Sequence, residues 1–64
     1  PAHMVAIYAA IQIDDNNLDE AKKYLEVANK KGLTEASIFR QFFKPKPAKE
    51  FIEKIRPYLD IKKN

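Results

Sequence analysis

Four interruptions in the apolar pattern leave this chain room only for brief elements: the Asp14-Asp15-Asn16-Asn17 run, Gly32, the Lys44-Pro45-Lys46-Pro47 stretch and Pro57. Asp and Asn side chains bond their own backbone and so favour turns. Proline disfavours the α region for the residue before it and clashes with the carbonyl one turn back. The segments between these breaks are about as long as ordinary short helices.

The first segment, Val5 to Ile13, reads two ways. Its odd positions alternate like a strand, whereas three of its nine residues are alanine, which favours helix; we take the helix. Asn17 and Glu20 have capping-box spacing, so a second helix is expected to start at Leu18. Leu18, Ala21, Leu25 and Ala28, flanked by Tyr24, give it an apolar stripe, and Gly32 ends it as a left-handed cap, with Lys30 and Lys31 at the negative end of the dipole. Thr34 can cap a third helix, with Leu33 and Ile38 as a hydrophobic staple. Read as running from Glu35 to Phe43, that helix spreads Ile38, Phe39, Phe42 and Phe43 over about 140° of its surface. Pro47 suits the first position of a fourth helix, whose stripe is Ala48, Phe51, Ile52 and Ile55 and which should stop or kink near Arg56, before Pro57. Tyr58, Leu59 and Ile61 suffice for a closing turn or a short strand. The expected fold is an all-α bundle of three to four short helices.

Size restricts function. A chain of 64 residues is one domain, and it buries only about 60% of its unfolded-chain surface. With no cysteine it has neither a disulfide staple nor a thiolate metal site, which fits a reducing, cytoplasmic setting. The apolar run Val5 to Ile13 is too short to span a bilayer, and no membrane partner is expected. Pro1-Ala2-His3-Met4 looks like a cloning remnant, leaving residues 5–64 as a single helical domain cut from a larger protein. His3, within that remnant, is the only histidine; Thr34 and Ser37 are the only hydroxyl nucleophiles of their kind, so a catalytic triad is excluded. The carboxylate pairs Asp14/Asp15, Asp19/Glu20 and Glu50/Glu53 read as solvated or capping groups. Asp15, Asn17, Asp19 and Glu26 match calcium-loop positions, but Glu20 stands where that loop needs glycine. A single useful glycine makes no phosphate cradle. The expectation is a non-enzymatic chain without catalytic residues, metal or cofactor.

Charge is unevenly spread. Residues 1–35 carry 4 bases and 6 acids, a net −2, and residues 36–64 carry 8 bases and 3 acids, a net +5. Arg40, Lys44, Lys46, Lys49, Lys54 and Arg56 therefore form a candidate phosphate-binding set, although Glu50 and Glu53 interrupt the exposed face of the last helix.

The order helix, glycine turn, short capped helix, loop and third helix resembles a helix-turn-helix domain of winged-helix type without a convincing wing. The segment AAIQIDDNNLDEAKKYLEV also resembles the lid region of replicative ring helicases. Together these imply a small C-terminal accessory domain of a phage or plasmid primase or helicase. The lid family's nucleotide-contacting arginines have no counterpart before Arg40, so nucleotide sensing is not implied.

Two functions follow as expectations. The first is an interaction module that docks its parent onto a protein partner through Phe39, Phe42 and Phe43 with Tyr58 and Leu59, because large exposed aromatic patches mark partner sites. The second is DNA or RNA binding through the basic set. Self-association is a third outlet for the same rings.

Overall fold

In the computed structural model, which describes residues 1–64, the chain forms four helices: α1 (Ala2–Asp14), α2 (Leu18–Lys30), α3 (Glu35–Gln41) and α4 (Pro45–Ile55). Val5 to Ile13 is helical, and Pro1–Met4, set aside above, supplies the first turn of α1, with the Met4 and Val5 amides donating to the Pro1 carbonyl.

The C-terminal ends of the first two helices close in the same way. At the end of α1, Asn16 takes a left-handed φ of 59°; its amide donates to the Ile13 carbonyl and the Asn17 amide donates to that of Gln12. At the end of α2, Gly32 sits at φ 89°, its amide donates to Asn29 and the Leu33 amide donates to Ala28. These are the paired bonds of a Schellman closure, which satisfy the last carbonyls of each helix. The capping box expected of Asn17 and Glu20 does not form. Asn17 is already committed to ending α1, and its side-chain amide donates to Gln12 Oε1 at 2.9 Å instead of accepting from the start of α2.

The tight link makes α1 and α2 an antiparallel hairpin, with Tyr8 and Tyr24 rings 6.0 Å apart. Its seam is narrow because it is built from small residues: Ala6, Ala9 and Ala10 of α1 face Leu25 and Ala28 of α2 in one buried cluster, completed by Leu33, Ile38, Ala48, Ile52, Ile55 and Ile61.

All four leading amides of α3 have acceptors. The Ser37 amide donates to Thr34 Oγ1 and the Thr34 amide to Ser37 Oγ, both at 3.0 Å. The Glu35 and Ala36 amides donate to the carbonyls of Lys62 and Lys63 at 2.8 and 3.0 Å. The C-terminal tail thus lies beside Thr34 as a single parallel bridge, held by buried Ile61, and not as a strand. The Leu33–Ile38 staple is present, with both side chains buried.

The third helix is shorter than its apolar period indicates. It ends at Gln41, and Phe42 is extended at φ −103°, ψ 142°. Phe42 and Phe43 therefore do not continue the stripe of Ile38 and Phe39. The fourth helix starts at Pro45 rather than Pro47, with Lys44 extended before it. Proline at its first and third positions removes two amides that would otherwise need partners, so the helix starts without a side-chain cap. It ends at Ile55, as Pro57 requires.

Candidate docking surface

The five residues expected to form one aromatic patch are placed apart. Phe42 is half-buried and its ring lies 5.5 Å from that of Phe51. Phe43 is wholly exposed in the link before α4, and Phe39 lies half-open in a shallow cleft with Ile52, Lys49, Glu53, Glu35 and Arg56. Tyr58 and Leu59 pack half-buried against the core beyond the other end of α4. An 11-residue helix is roughly 16 Å long, so they share no patch with Phe42 and Phe43.

The continuous apolar surface lies instead on α1. From Ala2 to Ile13 this helix has no Asp, Glu, Lys or Arg, and His3 and Gln12 are its only strongly polar side chains. A helix that is apolar all round belongs in an interior. Here one side, Ala2, Val5, Ala6, Ala9, Ala10 and Ile13, meets the core, while the other carries Met4, Ile7, Tyr8 and Ile11 at 41%, 37%, 51% and 49% exposure. The usual order is largely inverted: the fully buried positions are all alanine, Val5 and Ile13 are half-buried, and Met4, Ile7, Tyr8 and Ile11 lie outside.

The exposed row borders a concavity of about 220 Å³ between α1, α3 and α4. Met4 and Ile7 form one wall, Phe42 and Phe51 the other, with Ile38 also in its lining; His3 and Gln41 are the only polar side chains there. At about 220 Å³ it is smaller than the roughly 300–1,000 Å³ of small-molecule pockets, and suits one large side chain. Sequence reading missed this face by following the phenylalanines; the signal was the absence of charge across the first helix.

Of the six bases proposed to meet phosphates, two are paired with acids. Lys54 Nζ donates to Asp14 at 2.7 and 2.9 Å, tying α4 to the end of α1, and Arg56 is ion-paired with Glu35. Arg40, Lys44, Lys46 and Lys49 take part in no ion pair and are exposed. No cluster of three or more His, Asp or Glu is placed to hold a metal ion, and no helix is long and apolar enough to cross a membrane.

Comparisons of the chain with protein-family models, curated proteins and solved structures find no match. The functional reading rests on the chain's own residues.

Proposed function

We propose that this chain is a non-enzymatic helical docking module that binds a protein partner through the outer face of α1 and the adjoining concavity. The inverted burial of α1 carries the reading. Exposed positions of an ordinary surface helix are filled by charged residues, which cost nothing there and keep the protein in solution. Ile7 and Ile11 gain nothing from water, and an apolar row beside a concavity has the chemistry of an interface centre.

Selection of peptides from a displayed random library tests this, with the Ile7→Glu/Ile11→Glu double variant used for counter-selection. Ile7 is 37% and Ile11 49% exposed and neither belongs to the buried core, so the variant is expected to keep its helical circular dichroism with a modestly lowered melting temperature, and counter-selection is run below it. The expected result is peptides that bind the parent chain with micromolar affinity and not the variant. Enrichment of none, or of peptides that bind both equally, would overturn the reading.

A further inference from the structure

Of the large apolar side chains left in water, Val27 follows Glu26 on a helix that also carries Lys23 and Lys30, Phe39 shares its cleft with Glu35, Lys49, Glu53 and Arg56, and Phe43 precedes Lys44. Met4, Ile7, Tyr8 and Ile11 alone stand in a stretch, residues 1–13, that holds no Asp, Glu, Lys or Arg. At 3.6 residues per turn the four cover about 100° of α1. Their spacing is symmetric about the point between Ile7 and Tyr8, because Met4 and Ile11 lie equally far from it on either side. Two copies of α1 laid antiparallel about that point set Met4 against Ile11 of the partner subunit at both ends, with Ile7 and Tyr8 beside their own counterparts at the axis. The axis residues lie outside Pro1–Met4. Resting on the docking function above, we infer that the partner is a second copy of this chain, held by an antiparallel two-fold contact between the two α1 helices.

Charge selects this arrangement. A molecule of net charge +3 repels its own copies, and α1 is the face on which two of them meet without opposing like charges. In a parallel pair, Asp14 and Asp15 at the end of α1 would lie beside their counterparts. In the antiparallel pair Asp15 and its counterpart stand at opposite ends, about 22 Å apart along the helix, beyond two Debye lengths at physiological salt. A partner of different sequence is chosen and oriented largely by charge, and this face carries none with which to do so. Lipid is a poorer occupant still, since helices that lie on membranes carry Lys and Arg beside their apolar face and α1 has neither. Met4 is also a wall of the hollow, so the same pairing brings Ile11 of the partner subunit to its mouth. A strip about 20 Å long and 10 Å wide offers less than the roughly 800 Å² per partner of a standard interface, so the dimer is expected to be weak, half formed near about 100 μM.

Sedimentation equilibrium of the intact chain from about 10 μM to about 1 mM should show the mean mass rising from 7.4 kDa towards twice that value, and rising at lower concentration once salt screens the repulsion between copies. Ile7→Glu and Ile7→Lys should each stay monomeric, because either sets two like charges beside the axis. An equal mixture of the two should associate about tenfold more tightly than either alone. Tyr8→Glu with Tyr8→Lys gives the same test should the Ile7 variants fail to fold. Such mutual rescue requires the residue to face its own counterpart, which no unlike partner provides. A chain that stays monomeric throughout would overturn the inference. If displayed peptides then still bind it and not Ile7→Glu/Ile11→Glu, the docking function stands; if none bind, both readings fall. Association indifferent to Ile7→Glu, a mixture no tighter than its components, or a mass that grows past the dimer, as an open head-to-tail contact gives, would each overturn it as well.

Discussion

Asn16 and Gly32 do the same task with different chemistry, and substitution at each should move stability in opposite directions. A Cβ on Gly32 would meet no atom within 4 Å, so Gly32→Ala is opposed by backbone conformation alone and is expected to cost about 1 kcal/mol. Asn16→Gly, at φ 59°, should gain roughly 0.5 kcal/mol in the same urea titration, the relief of left-handed strain being partly offset by a freer unfolded chain. At the start of α3, Thr34→Ala and Ser37→Ala should each cost about 1 kcal/mol. Their effects should not add, because the two side chains answer each other's amides and the first substitution already breaks the box. Gly32 was legible in the sequence, since it is the only residue after α2 free of a Cβ. Asn16 was not: within Asp14-Asp15-Asn16-Asn17 any member could have closed the helix, and once Asn16 does so Asn17 is drawn away from capping α2.

At the scale of the helix, α1 separates what holds the molecule together from what faces outward. Leu25→Ala empties a fully buried site against the alanine seam and should cost about 3 kcal/mol. Ala9→Leu forces the two helices apart and should cost about 2 kcal/mol or more. Ile11→Ala, at the same depth along the hairpin but on its outer side, should change stability by no more than about 0.5 kcal/mol. Thermal melts of the three variants check the ordering. The extent of α3 shows how periodicity misleads here. Ile38, Phe39, Phe42 and Phe43 count as a stripe only if the helix continues, yet Pro45 holds Lys44 extended and Phe42 has already left the helical region. The rings were legible, but their common face was not, because a single ψ angle at Phe42 redirects everything after it.

The whole molecule has a radius of gyration of 10.5 Å, against about 10.7 Å for a compact chain of its length. Its exposed apolar row is therefore a choice of surface and not a sign of loose packing. All-helical class and helix order were readable from the breaks in the pattern. The closing tail was only half readable, since nothing in Ile61-Lys62-Lys63 announces that its carbonyls will receive the Glu35 and Ala36 amides. Removal of Ile61–Asn64 strips a buried isoleucine and two hydrogen bonds, about 4 kcal/mol together. That is comparable with the entire stability of so small a domain, so the shortened chain should lose hydrogen-exchange protection throughout α3 and α4. The α1–α2 hairpin, closed by neighbours in sequence, should retain residual protection. The unsatisfied side of that hairpin also bears on handling the free protein. With a net charge of only +3, copies keep apart by a weak mutual repulsion that added electrolyte removes, leaving greasy flanks free to meet. The isolated domain should salt out early, and light scattering should rise with ionic strength before any helix is lost.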